Sequence, residues 1–160
     1  MPQITIEYMI MVPILILQIF LFPLTASLIM NSWVDSRQNL ALQETASYVG
    51  SSIHQIYTAL SHESLSSGLV TNRLEISPLV EGHVYTGNAT LRASPDPNSS
   101  RILDINLYIV DTEIVAKASV TLGQDVEWQN SSFKSNSAYP SIYAEKLQNG
   151  ILRLSFGGTI

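Results

Sequence analysis

Side chains capable of chemistry are few in this chain, and their spacing limits what they could do. The histidines are His54, His62 and His83. None stands at zinc-ligand spacing from a second histidine with a glutamate between them, and the absence of cysteine removes every thiolate ligand, cysteine nucleophile and disulfide. They are expected to be structural or surface groups. Asp104, Asp111, Glu113, Asp125 and Glu127 are dense enough to suggest a calcium loop, but the EF-hand order of ligands is absent. Alternating acids of this kind are expected to be solvated. There is no glycine-rich phosphate loop, no nucleophile elbow and no serine set beside a histidine in a known order. The expectation is a chain that is not an enzyme and holds no metal or cofactor. Three N-glycosylation sequons occur, at Asn88, Asn98 and Asn130. The last two fall in stretches of loop composition, which suits a modified surface.

Glu7 is the charged residue in the most demanding place. Behind it, from Tyr8 to Val34, no side chain is charged and nearly all are apolar. A helical span needs roughly 20 apolar residues, and this run supplies them. A carboxylate at the lip of such a span is costly to bury unless it is paired. A secretory signal peptide would carry a basic start, a shorter apolar core and a clear small-residue cleavage site. None is present, since Leu24-Thr25-Ala26 is a faint match at most. A plain single-span anchor remains open; a buried core helix would be shorter and less uniformly apolar. Pro13 and Pro23 lie inside the run, where each removes an N–H donor, so a curved or locally loosened helix is expected. Trp33 suits a membrane–water interface, and Asp35 beside Arg37 leaves the orientation unsignalled by charge.

Gln3-x-Thr5-x-Glu7 ahead of a long apolar helix resembles the class III signal segment of archaeal type IV pilin-like proteins. The spacing of Glu7, Tyr8 and Pro13 also resembles that of the tight-adherence minor pseudopilins. The resemblance implies a leader removed before Gln3, which would make Glu7 the fifth residue of the mature chain. It further implies that this carboxylate pairs with the amino terminus of a neighbouring subunit and sets filament register. A prepilin-type peptidase and an assembly machinery would then be partners. Only Met1 and Pro2 precede Gln3, where the family carries basic residues and a small residue at the junction. Either the sequence starts downstream of a leader or the chain is not processed.

Further elements must carry this segment. Leu42, Ala46, Val49, Ile53, Ile56 and Leu60 recur at alternating four- and three-residue steps, with polar residues between them. This predicts an amphipathic helix over 36–60 that continues the apolar one and ends between Ser61 and Gly68. The stripe fits either a sheet of its own domain or a seam with another subunit. Past Gly68 the period changes to two. Leu103, Ile105, Leu107 and Ile109 pair naturally with Ile114, Ala116, Ala118 and Val120 as a hairpin through Asp111-Thr112. Further strands are expected at 73–77, 80–85, 88–93, 126–129 and 151–156, with loops at 94–100 and 130–137. The fold class is therefore α+β, a long N-terminal helix followed by a small antiparallel sheet or sandwich. The expected divisions are an apolar helix over 1–34, its amphipathic continuation over 35–63 and a β-rich extracellular domain over 64–160.

Only 13% of residues are charged and the net charge is -5, so the chain lacks the basic footprint that nucleic acid requires. Together with the resemblance, this implies a structural subunit of an extracellular filament. It would lie in the membrane before assembly, pack with copies of itself and display its β-domain outward, a role compatible with adhesion. The alternative is a single-span anchor whose external β-domain binds a surface-layer or motility-filament partner.

Overall fold

The computed structural model describes residues 3–62, 67–92, 100–110 and 112–158, with side chains from Met9 onward. The chain divides into two compact units, Met1–Arg37 and Gln38–Ile160.

The chain opens with one unbroken helix, α1 (Gln3–Ser61), which holds both Pro13 and Pro23 in its interior. Neither proline ends it. In its second half the heptad-like stripe is the buried face: Leu42, Ala46, Val49 and Ile53 are all 0% exposed, and Ile56 and Leu60 are buried beside them. Ser51, His54 and Gln55, off the stripe, are exposed. The helix stops at Ser61, where a Ser/Gly-rich stretch begins.

Among the described residues eight strands follow: β1 (Gly68–Arg73), β2 (Tyr85–Arg92), β3 (Arg101–Ile109), β4 (Val115–Leu122), β5 (Val126–Trp128), β6 (Ser132–Lys134), β7 (Ser141–Lys146) and β8 (Leu152–Gly157). They form two four-stranded sheets, ordered β1-β7-β8-β5 and β4-β3-β2-β6. The second sheet is antiparallel throughout. The first has one parallel pair, β5 with β8, so the fold is α+β with two mostly antiparallel sheets. The expected β3–β4 hairpin is present, with Ile105 opposite Ala118 and Leu107 opposite Ala116. Alternation places Leu103, Ile105, Leu107 and Ile109 inward, and all are buried.

One apolar cluster joins the α1 stripe to the inner faces of both sheets. Gly50 lets the helix approach β4 closely: a Cβ there would stand 3.2 Å from Val120 and 3.6 Å from Ile105. Gln43 Nε2 donates to the Lys117 carbonyl at 2.9 Å, so the helix also serves a backbone acceptor of β4. The two sheets meet where Phe156 on β8 sits edge-to-face with Phe133 on β6 at 4.9 Å, and Trp128 on the neighbouring β5 packs edge-to-face on Phe156 at 4.9 Å within the same sheet. Arg101 Nη1 donates to the Val126 carbonyl at 2.7 Å, which ties β3 to β5 across the sheets.

Several expected strand positions are corrected. The strand expected at 73–77 lies earlier, as β1, because its register is set by β7 from the far end of the chain. Residues 80–84 do not form the expected strand, and Tyr85 opens β2. Val80 and His83 exchange two 2.9 Å backbone bonds across Glu81 and Gly82, whose positive φ angles of 47° and 85° make a tight reversal. The strand expected at 88–93 is the second half of β2. The stretch 130–137 is not all loop, since β6 lies inside it. Strand β7 was not anticipated. The loop expected at 94–100 lies almost wholly outside the described residues, and so does Asp111 in the hairpin turn.

Candidate assembly site

The expected assembly residues lie at the start of α1. Gln3, Thr5 and Glu7 have helical backbone, and their side chains fall outside the described set. From Met9 to Val34 every side chain is exposed. Phe20 and Phe22, for example, are 73% and 76% exposed. Among the described residues α1 is the one helix long and apolar enough to cross a membrane, and none of its apolar window is buried within the chain. Exposed apolar side chains on this scale are not stable in water, so the segment is compatible with membrane anchoring.

Polar atoms in this segment are handled locally where they can be. Thr25 Oγ1 lies 3.0 Å from both the Leu21 and the Phe22 carbonyls, and Ser36 Oγ donates to the Ser32 carbonyl at 2.8 Å. Pro13 and Pro23 have no N–H to offer the carbonyls of Met9 and Ile19 one turn back. Around Pro23 the helix surface carries a shallow groove lined by Leu15, Gln18, Ile19, Phe22, Pro23 and Thr25.

The other sequence candidates do not converge. His54 is exposed on α1 with its ring 6.4 Å from that of Tyr57. His62 accepts at its backbone carbonyl from Lys146 Nζ at 2.9 Å, and His83 closes the 80–83 turn. Among the described residues no three His, Asp or Glu side chains gather as a metal site. Asp104 lies on the outer face of β3, where Arg92 makes an ion pair with it and Ser119 Oγ donates to it at 2.7 Å. Those partners, Arg92 first, hold its carboxyl below the usual aspartate value. Glu127 faces Arg153 at 3.5 Å on the other sheet. Of the sequons, Asn130 is exposed between β5 and β6. Asn88 sits within β2, flanked by Asn106 and Ser132, with Oδ1 buried and unpartnered. Asn98 lies outside the described residues.

The polar tie around Tyr85 has no motif that announces it. Its ring is fully buried and its hydroxyl donates to the Ser77 carbonyl at 2.8 Å. Ser135 Oγ accepts from the Tyr85 N–H at 3.1 Å and donates to the Pro78 carbonyl at 2.7 Å. This ties the irregular segment before β2 to the start of that strand. Burial pushes the Tyr85 hydroxyl up to about 12, partly countered by a hydrogen bond with Thr45. Only the size of Tyr85 and its place at the head of an alternating run could have marked it.

Comparison with protein-family models, with curated proteins and with solved structures gives no match.

Proposed function

We propose that this chain is a subunit of a type IV pilin-like filament, with the apolar half of α1 as its assembling element and the β-domain displayed outward. The observation that carries this is the split along α1. The same continuous helix is wholly exposed and apolar from Met9 to Val34, and is the buried spine of a β-domain from Leu42 to Leu60. An anchor needs only the first property. A filament subunit uses both, because the helix that packs with its neighbours must also hold the domain it displays. The segment Gln3-x-Thr5-x-Glu7 adds the register device that such packing calls for. The membrane holds the helix before assembly, and the filament core holds it afterwards.

The test is Glu7→Gln beside Glu7→Ala in the full chain. A carboxylate buried among apolar helices is stable only when paired, and loss of one partner of such a pair costs about 3–5 kcal/mol. Both variants are expected to abolish filaments or to scramble subunit stagger, as seen by electron microscopy of sheared cell surfaces. Normal filaments with normal stagger would defeat the role assigned to Glu7. Retention of the wild-type chain with membranes after shearing would defeat the filament reading and leave an anchored binding protein.

A further inference from the structure

We infer that the Gln18 face of α1 is the surface on which a second copy of the helix packs, through hydrogen bonds that Gln18 makes between copies. This rests on reading the apolar half of α1 as an assembling element. It goes further by naming the face and the chemistry.

Gln18 lies deep in the uncharged run, away from both ends of the span. Its side chain is exposed and, among the described residues, it has no hydrogen-bonding partner. Thr25, one groove-length along, meets its own need by bonding back to the Leu21 and Phe22 carbonyls. A glutamine in mid-helix has no comparable local solution. In hydrocarbon, or in a core of packed apolar helices, an unpaired carboxamide costs several kcal/mol on the apolar-transfer scale. Lipid tails offer it nothing.

Two features make a second copy the fitting occupant. A carboxamide has both donors and acceptors, so Gln18 is complementary to Gln18 of another copy. Beside it, Pro23 withholds the N–H that would have served the Ile19 carbonyl, which leaves an acceptor on the same groove. The groove therefore carries both a donor and an acceptor among mostly apolar lining residues. A helix of the same sequence matches that pattern. Polar side chains are the usual hydrogen-bonding contacts between helices where no water competes.

The experiment measures self-association of the full chain in detergent micelles, by energy transfer between labelled copies. Gln18→Leu is expected to lower the association constant roughly 3- to 30-fold, while Phe20→Leu on the opposite face leaves it unchanged. Because the chain has no cysteine, Phe22→Cys, on the same groove one turn from Gln18, and Phe20→Cys report the face with Gln18 intact. Oxidation should cross-link copies through position 22 and not through position 20. Equal association of wild type and Gln18→Leu, or equal cross-linking at both positions, would overturn the inference. The two proposals fail separately. Filaments that form with Gln18→Leu as readily as with wild type would sink this contact and leave the filament reading intact. Gln18-dependent association in a chain that never forms filaments would do the reverse.

Discussion

Tyr85 shows how much of the β-domain depends on one hydroxyl. It is fully buried, and its ionised form would face the Ser77 carbonyl with no water to solvate it. Its ordinary value of 10.0 rises to about 12 in the fold, so the folded chain holds the proton more tightly than the unfolded one. The stability this contributes is complete below the unfolded value and is lost as the pH rises from about 10 to about 12. Tyr85→Phe should flatten that alkaline limb in urea midpoints taken across the range. At neutral pH it should cost about 1–3 kcal/mol, because the Ser77 carbonyl loses its donor inside the protein. Nothing in the local sequence distinguishes this tyrosine from the exposed Tyr139, since the partners that define it, Ser77, Thr45 and Ser135, come from three separate parts of the chain. Glu7, by contrast, stands out in the sequence as a lone carboxylate ahead of an uncharged run, and its side chain lies outside the described residues.

At the scale of elements, what could be read from sequence was whatever depends on a period. Leu42, Ala46, Val49, Ile53, Ile56 and Leu60 are all buried as the spacing predicts, and Gln38, Gly50 and Ser52 of α1 are buried with them, which the spacing does not predict. Ile53 faces the core from the centre of that stripe, so Ile53→Ala is expected to destabilise the β-domain by about 2–5 kcal/mol. Ser51→Ala, on the exposed side, should stay within about 0.5 kcal/mol of wild type. Chemical denaturation followed by tryptophan fluorescence checks both, since Trp128 packs, half-buried, against the domain core. The β3–β4 hairpin was legible for the same reason. Strands β6 and β7 were not. Ser132-Phe133-Lys134 is too short to show alternation, and it becomes a strand because β2 offers it an edge. Strand β7 takes its place from β1 and β8 on either side, neither of which its own residues announce. Long-range pairing decides these elements, and a window along the sequence does not see it.

For the whole molecule, the division near Arg37 has a direct consequence. Among the described residues, every buried member of the apolar core lies between Leu42 and Phe156, and the unit from Gln38 onward contains them. A chain that begins at Gln38 should therefore be a soluble monomer with one cooperative unfolding transition, whereas the full chain should need detergent or lipid. Sedimentation and thermal melts of the two would settle it. Aggregation of the shortened chain would mean that the first unit takes part in the domain's stability. The position of β8 adds a constraint of timing. Of the described strands it is made after all the others, yet it sits inside its sheet, between β7 and β5. The sheet cannot close until residue 157 has left the ribosome. At roughly 5–20 residues per second, the apolar helix is exposed to its surroundings for about ten seconds before the domain behind it can fold. Whatever receives that helix, bilayer or chaperone, must do so while the rest of the chain is still unfolded.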